Sequence, residues 1–414
     1  MKFVSTKGFS EAVSFKEAVL GSVATDGGLY VPSSFPAVEF APGTGLQMIG
    51  RAVLAPYVSP DISEEDLAGI IEKAFTFDAP LVQLDKYLYV LELFHGPTAA
   101  FKDFGVRFMA RVIENFAEGQ EVSILTATSG DTGGAVAAAF HGVPNVRGII
   151  LYPKNKVSPI QEMQIAGFGD NIIALEVDGN FDDCQRMVRA AFADADLRKQ
   201  HSLLSANSIN IARLLPQICY YFRAYAQLEA GSKPTFVVPS GNFGNLTGGV
   251  YARKMGLPAA GFVAVTNAND VVPRYLKSGE YKVGAFVETL TNAMDIADPS
   301  NFTRIEALYS FNLERLRAAV SARRFTDAQM LDGMKRLYED YGYVADPHTA
   351  QGFLGTEGID GPKVLVSTAH PGKFRETVGQ VTRNIPVIAS LEIGNKLLHK
   401  QSIDARDGLR AFLD

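Results

Sequence analysis

The sequence predicts an α/β protein in which two mostly parallel sheets follow a mainly helical amino-terminal unit. Strand-like segments alternate with helical segments between residues 122 and 205, and a second alternation begins near residue 235. Such alternation is typical of parallel sheets with right-handed crossovers. The first 78 residues differ, because helical patterns there surround one short extended piece.

The composition fits a globular enzyme of mixed class. The chain has 414 residues, of which 47% are hydrophobic and 20% charged. A formal net charge of −6 without a basic run argues against nucleic acid or a membrane surface as the main partner. The two cysteines lack metal-like spacing and indicate a reducing compartment. Because no signal peptide or membrane-spanning stretch is visible, a cytoplasmic location is expected.

In the amino-terminal unit, residues 14–23 have a helical pattern, and residues 26–32 form a turn that leads into an extended piece. Ser63 is the expected N-cap of a further helix, with Asp66 in a capping-box-like position.

Strands and helices then alternate along the chain. The first series predicts strands at 122–126, 146–152, 172–177 and 203–205, with helices at 133–141, 158–167 and 181–197. A long helix is expected at 211–228. The second series predicts strands at 235–238, 261–266 and 364–366, a helix after residue 245 and a helix at 326–341.

Lys102 is the strongest candidate for a reactive side chain. It lies between Phe101 and Phe104, where a polar loop gives way to a helical pattern. Apolar neighbours lower the pKa of an ammonium group, which suits a lysine that bonds to a carbonyl. The alternative is an ordinary lysine that extends towards solvent from a helix start. The apolar residues at helical spacing are Val106, Met109, Ala110 and Ile113.

A glycine-rich loop joins a predicted strand to a predicted helix at residues 240–245. Glycines expose backbone amides, and a helix start adds positive potential, so this loop could hold a phosphate dianion. It is neither a Walker loop nor a dinucleotide fingerprint, and a tight turn remains the alternative. The candidate residues are Gly241, Asn242, Phe243, Gly244 and Asn245.

A second loop, at residues 128–134, also joins a strand to a helix. Its hydroxyls and amides could cradle a substrate carboxylate, whereas the plainer interpretation is a helix N-cap. Asp131 is unsuited to anion binding and is expected to orient a donor group instead. The candidate residues are Thr128, Ser129, Gly130, Asp131 and Thr132.

Two further segments carry polar groups at element ends. Asn207, Ser208 and Arg213 could hold a second phosphate, or they could form a capped helix with a surface arginine. Thr368 follows an apolar strand, where a hydroxyl points into the crevice that binds ligands in α/β proteins. His348 and His370 could be acid/base groups, but they are interpreted as loop histidines because nothing in the sequence pairs either one with a partner. No metal-binding spacing is present.

Together a desolvated lysine, a phosphate loop and a hydroxyl at a strand end would suit pyridoxal phosphate. The chain is also similar, over nearly its whole length, to the threonine synthase family, whose members are pyridoxal-phosphate enzymes of fold type II. The blocks that carry the resemblance are residues 5–8, 26–32, 94–98, 101–104, 128–133, 207–213, 241–245, 293–296, 346–350 and 368–371.

The resemblance implies a fold of two three-layer α/β domains plus a small, mainly helical amino-terminal domain. The amino-terminal domain would span residues 1–78. A large cofactor-binding domain would combine 79–121 with 230–414, and a small mobile domain would span 122–229.

The resemblance also implies roles for the candidate residues. Lys102 matches the lysine that bonds to the cofactor and carries protons, and Thr368 matches the hydroxyl at the pyridine nitrogen. Residues 241–245 match the cofactor-phosphate loop, and Asp131 lies near the ring's phenolic oxygen. The residues implied to bind substrate are Thr128, Ser129, Gly130, Asp131, Thr132, Asn207, Ser208 and Arg213.

The implied reaction converts O-phospho-L-homoserine and water to L-threonine and phosphate by γ-elimination and β-addition of water. A monomer or homodimer without regulation by S-adenosylmethionine is expected. Two alternatives stay open: a related lyase that releases an oxo acid and ammonia, and a catalytically silent member that only binds a ligand or partner.

Overall fold

The computed structural model describes residues 1–117, 119–387, 397–406 and 408–413. Its amino-terminal unit contains β1 (Phe3–Ser5), α1 (Phe15–Gly21), β2 (Tyr30–Pro32), α2 (Leu46–Val58) and α3 (Glu64–Ala74). Strands β1 and β2 pair antiparallel. The hydroxyl of Ser63 accepts a hydrogen bond from the Asp66 amide, which confirms the predicted N-cap.

The middle of the chain supplies the elements of the first alternating series. They are β3 (Leu81–Gln83), β4 (Leu88–Glu92), α4 (Lys102–Ala117), β5 (Val122–Ala127), α5 (Asp131–Phe140), β6 (Val146–Pro153), α6 (Pro159–Ala166), β7 (Ile172–Asp178), α7 (Phe181–Ala193), α8 (Ala195–His201), β8 (Leu203–Ser205), α9 (Ile211–Leu214) and α10 (Gln217–Tyr225).

The second series completes the chain. It contains β9 (Thr235–Pro239), α11 (Gly244–Lys254), β10 (Gly261–Thr266), α12 (Val271–Ser278), α13 (Phe302–Leu308), α14 (Leu313–Ala319), β11 (Val320–Arg324), α15 (Asp327–Tyr341), α16 (Pro347–Leu354), β12 (Lys363–Ser367), α17 (Arg375–Val378), β13 (Lys400–Asp404) and α18 (Arg410–Leu413). Short 3₁₀ helices lie at Asn292–Met294 and Pro371–Phe374.

The strands form two large sheets, as predicted. The five-stranded sheet has the order β13-β7-β6-β5-β8, and all of its pairs are parallel. The six-stranded sheet has the order β11-β10-β9-β12-β4-β3, and only the β3–β4 pair is antiparallel. The carboxyl ends of the central strands β5, β9 and β12 carry the predicted site loops.

Strand β13 departs from the expected domain organisation. The sequence places residues 230–414 with the large sheet, yet residues 400–404 pair with β7 at the edge of the five-stranded sheet. Lys400 supports this pairing, because its ammonium lies 2.7 Å from Glu162 and 2.8 Å from Glu176. The carboxyl-terminal segment therefore returns to the sheet of the predicted small domain and covers an otherwise unpaired edge.

Two helices that the sequence predicts as continuous are each divided. The expected helix at 181–197 breaks at Asp194, whose carboxylate accepts hydrogen bonds from Asp196 and Leu197 and so caps α8. The expected helix at 211–228 breaks before Pro216, which lacks the amide that a continuous helix requires. Each break lies at one residue, Asp194 or Pro216, whose chemistry favours the start of a new helix.

One apolar core joins the amino-terminal unit to both sheets. Phe15 of α1 and Tyr57 of α2 belong to the same buried cluster as Phe104 of α4 and Ile150 of β6. The amino-terminal unit and the two sheets therefore share one buried cluster. Within the described ranges, no helix combines the length and apolar character needed to cross a membrane.

Candidate active site

A cavity lies where the loops at the carboxyl ends of the two sheets meet. Loops after β5, β8, β9 and β12 all reach it, as does the start of α4. Every candidate residue from the sequence except Gly130 lines this cavity. These residues are Lys102, Thr128, Ser129, Asp131, Thr132, Asn207, Ser208, Arg213, Gly241, Asn242, Phe243, Gly244, Asn245 and Thr368.

Lys102 begins α4 and points into the cavity. Its position is fixed by the backbone, because the amide of Phe101 donates to the carbonyl of Thr368 over 2.9 Å. The Lys102 ammonium lies 5.0 Å from the centre of the Phe101 ring. Burial lowers the pKa of Lys102, while Asp131 opposes that shift. The structure thus supplies the desolvated amine that the sequence predicts.

Asp131, at the start of α5, is held by two donors and faces a second ammonium group at a longer distance. Its Oδ1 lies 2.8 Å from Lys373 Nζ and accepts a 3.0 Å hydrogen bond from Gln161. Its Oδ2 lies 3.7 Å from Lys102 Nζ. Burial alone would raise the pKa of Asp131, but the ammonium groups of Lys373 and Lys102 hold it well below its usual range. The carboxylate is therefore ionised at the edge of the cavity.

The glycine-rich loop has the geometry of an anion cradle. Phe243 has a φ of 61°, so the chain turns sharply into α11, whose first-turn amides have no carbonyl partners within the helix. A Cβ on Gly241 would lie 2.7 Å from the Met294 Cα, so only glycine allows these backbones to approach. The buried Asn245 Nδ2 has no hydrogen-bond partner in the described structure. These donors fit a phosphate group.

Ser208 connects the glycine-rich loop to the opposite wall of the cavity. Its hydroxyl oxygen accepts hydrogen bonds from the side-chain amides of Asn242, at 2.8 Å, and Asn301, at 3.0 Å. An oxygen that accepts two hydrogen bonds keeps its own proton available for donation. The Ser208 hydroxyl, which lines the cavity, can therefore donate to a ligand there.

Arg213 is a buried cation on the same side of the cavity. It donates to the Ala206 carbonyl, but its Nε has no partner in the described structure. Burial lowers the pKa of Arg213 to about 10. Glycine at position 105 permits this arrangement, because a Cβ there would lie 2.4 Å from the Arg213 carbonyl oxygen. Of the two alternatives that the sequence left open, the surface arginine is thus excluded, and a desolvated positive charge faces the cavity.

In the loop before α5, some polar groups bond within the loop and others line the cavity. The Thr128 hydroxyl accepts from the amides of Gly130 and Gly133 and donates to the Gly130 carbonyl, so it is fully used within the loop. Gly130 packs against the Gln161 side chain instead of lining the cavity. Ser129 and Thr132 line the cavity beside the start of the helix.

His348 differs from the loop interpretation, whereas His370 lies in a loop, as predicted. His348 lies on α16 and lines the cavity, but both ring nitrogens are engaged: Nδ1 lies 2.7 Å from Asp346, and Nε2 accepts from the Ala293 amide. His370 caps the following 3₁₀ helix by accepting from the Gly372 amide. Both histidines therefore hold backbone in place.

Sequence reasoning missed several residues that shape the site. Lys373 and Gln161 hold Asp131, and both are buried. Arg304 is fully buried and donates to the carbonyls of Ser208 and Ile209, which fixes the Ser208 loop. The available signal for Lys373 was its position shortly after Thr368, at the end of a strand. Its burial, however, is not visible in one sequence.

Pyridoxal phosphate requires an amine for its aldehyde, donors for its phosphate and a partner for its ring nitrogen. Lys102, the glycine-rich loop and Thr368 offer these three groups around one cavity. The fold and site therefore define a pyridoxal-phosphate-dependent enzyme of fold type II.

Comparisons with known proteins specify the family. A model described as "Pyridoxal-phosphate dependent enzyme" matches residues 75–367, and one described as "Threonine synthase N terminus" matches residues 2–75. Threonine synthase of Serratia marcescens is 43% identical over 432 aligned positions, which cover 100% of this chain and 99% of that protein. The chain belongs to the threonine synthase family.

Solved structures agree with this assignment. The crystal structure of threonine synthase from Escherichia coli superposes with a TM-score of 0.92 at 39% identity, covering 98% of this chain and 97% of that one. The pyridoxal-phosphate-bound threonine synthase from Brucella melitensis gives a TM-score of 0.92 at 34% identity, covering 100% and 98%. Pyridoxal phosphate is accordingly the cofactor.

Proposed function

We propose that the chain converts O-phospho-L-homoserine and water to L-threonine and phosphate, with Lys102 as the cofactor-bonding and proton-carrying residue. The observation that carries this proposal is Arg213, a buried guanidinium that faces the same cavity as Lys102. Among the described residues Arg213 has no acidic partner, and because burial of such a cation is costly, a phosphorylated substrate would compensate its charge.

The substrate would bind between two groups of donors. Its phosphate would lie at Arg213, Ser208 and Asn207, and its carboxylate at the Ser129 and Thr132 side of the cavity. In this placement the γ-carbon, which loses phosphate, lies towards Arg213. The α-carbon, which loses the first proton, lies towards Ser129 and Thr132. The two ends of the substrate are thereby fixed, which orients it for reaction.

Lys102 would take the proton from the substrate's α-carbon and return protons later in the cycle. Its low-polarity surroundings favour the neutral amine that can accept a proton. Bound pyridoxal phosphate supplies an electron sink for charge that develops on the substrate. Thr368 would face the ring nitrogen with a neutral hydroxyl, which stabilises a proton there less strongly than a carboxylate would.

We also propose a cytoplasmic enzyme that acts as a monomer or homodimer. Both cysteines, Cys184 and Cys219, are buried free thiols, which supports a reducing compartment.

Product analysis tests the proposed reaction. Purified protein is incubated with pyridoxal phosphate and O-phospho-L-homoserine, and amino acids, keto acids, ammonia and phosphate are quantified. Equal amounts of L-threonine and phosphate are expected. Release of 2-oxobutanoate and ammonia would instead identify the related lyase, and a lack of any product would favour the silent alternative.

A further inference from the structure

Lys373 is a fully buried cation next to the active-site cavity. It lies in the 3₁₀ helix that follows β12 of the six-stranded sheet, and its side chain is 0% exposed. Its ammonium lies 2.8 Å from Asp131 Oδ1 and donates to the Thr98 carbonyl over 2.9 Å. Because Asp131 begins α5, beside the five-stranded sheet, this ion pair joins the two halves of the molecule.

The two oxygens of Asp131 have different partners. Oδ1 is bound closely by Lys373 and by Gln161. Oδ2 faces Lys102 at 3.7 Å, which is longer than a charge-assisted hydrogen bond. The carboxylate is thus committed to Lys373 and only loosely associated with Lys102.

If Lys373 were absent, Asp131 would pair with Lys102 alone, and Lys102 would be less reactive. A buried carboxylate with a single cation beside it would form a close ion pair, because an uncompensated buried charge is costly. An ammonium in such a pair loses its proton less readily. Lys102 would then be retained in its protonated, unreactive form.

We propose that Lys373 is a positioning residue, which takes up the charge of Asp131 so that Asp131 can stand beside Lys102 without trapping its ammonium. The inference rests on the proposed role of Lys102. Among the described residues, the charged groups that face Lys102 are Asp131 on α5, Lys373 after β12 and Arg213 on α9. Asp131 attracts a proton to Lys102, and the two cations oppose it.

The test measures the titration of Lys102 in the cofactor-free full-length protein. Competitive acetylation with acetic anhydride over a range of pH, followed by mass spectrometry of the Lys102 peptide, gives the pH of half-maximal reactivity. Lys102 is 14% exposed, so the small reagent reaches it. The Lys373→Met variant should raise this pH by about 1–2 units, because Asp131 then acts on Lys102 alone.

A double variant separates charge compensation from simple packing. Lys373→Met combined with Asp131→Asn removes both charges, and this double variant should fold. Its pH of half-maximal Lys102 reactivity should lie at least about 1 unit below that of Lys373→Met. The control is Lys400→Met, which removes a cation that bridges Glu162 and Glu176 outside the cavity. This variant should leave the pH of half-maximal Lys102 reactivity unchanged.

An unchanged titration in folded Lys373→Met would overturn the proposal, as would a shift that the double variant does not reverse. If Lys373→Met does not fold, the double variant decides: its failure to fold would assign Lys373 a purely structural role and likewise overturn the proposal. Because no substrate is used, a failure here is distinguishable from a failure of the proposed reaction.

Discussion

Replacement of Arg213 by methionine should weaken substrate binding while it stabilises the substrate-free protein. Burial lowers the pKa of Arg213 from its ordinary value to about 10. At about 1.4 kcal/mol per pKa unit, burial of this charge costs on the order of 3 kcal/mol. The folded-state pKa lies well above 7, so the guanidinium is charged at neutral pH and the cost is fully present there.

Two opposing terms then set the change in stability. Methionine removes the buried charge but loses the hydrogen bond to Ala206 and leaves that carbonyl unpaired, which together cost about 2 kcal/mol. The net gain in the free energy of unfolding is therefore about 1 kcal/mol. In contrast, loss of the cation should weaken binding of the phosphorylated substrate by about 2–4 kcal/mol, or roughly 30- to 700-fold.

The assay compares two ligands and two variants. The KM for O-phospho-L-homoserine and the inhibition constant of L-homoserine, which lacks the phosphate, are measured for wild type and Arg213→Met. Urea unfolding gives the stability. Arg336→Met, which removes a partly exposed cation paired with Glu357, serves as control and should change neither constant. An equal loss of affinity for both ligands, an unchanged KM for O-phospho-L-homoserine, or a large decrease in the free energy of unfolding would refute the reasoning.

Two further predictions concern stability. His370 has a pKa lowered to about 4 by burial, with the nearby His95 adding to the shift, so its neutral form stabilises the fold above pH 6.5 and this contribution is lost as the pH falls towards 4. Urea unfolding at pH 7 and pH 4.5 should show an acid-induced loss on the order of 2 kcal/mol larger in wild type than in His370→Gln; equal losses would contradict the assignment. Asp194→Ala should lower the free energy of unfolding by about 1 kcal/mol, since it removes the cap of α8. An unchanged urea midpoint would show that the cap is dispensable.

The regular alternation of strands and helices was predictable because each segment has a local pattern. Strands β8 and β10 begin and end where the sequence places them. Strands β3 and β11 were missed, because they are short and partly exposed and therefore lack the apolar run of a central strand. Strand β13 was missed for another reason: its pairing with β7 joins residues more than two hundred positions apart.

The candidate site was predictable where a loop carries its own chemistry. The glycine-rich loop and Lys102 have local patterns that indicate an anion cradle and a desolvated amine. Lys373 has no such pattern, because its burial arises only when the two sheets meet. Arg213 was a candidate from the sequence and lines the cavity, yet a surface position remained open until the packing of α9 against Gly105 was known.

The most direct test of the account is the site of cofactor attachment. Purified protein is incubated with pyridoxal phosphate, reduced with borohydride, digested and analysed by mass spectrometry, with Lys102→Ala treated in parallel. The cofactor mass should be found on the Lys102 peptide of wild type and should be absent from the variant. Attachment at another lysine, or equal labelling of the variant, would contradict the claim that the cavity positions Lys102 to bond to pyridoxal phosphate.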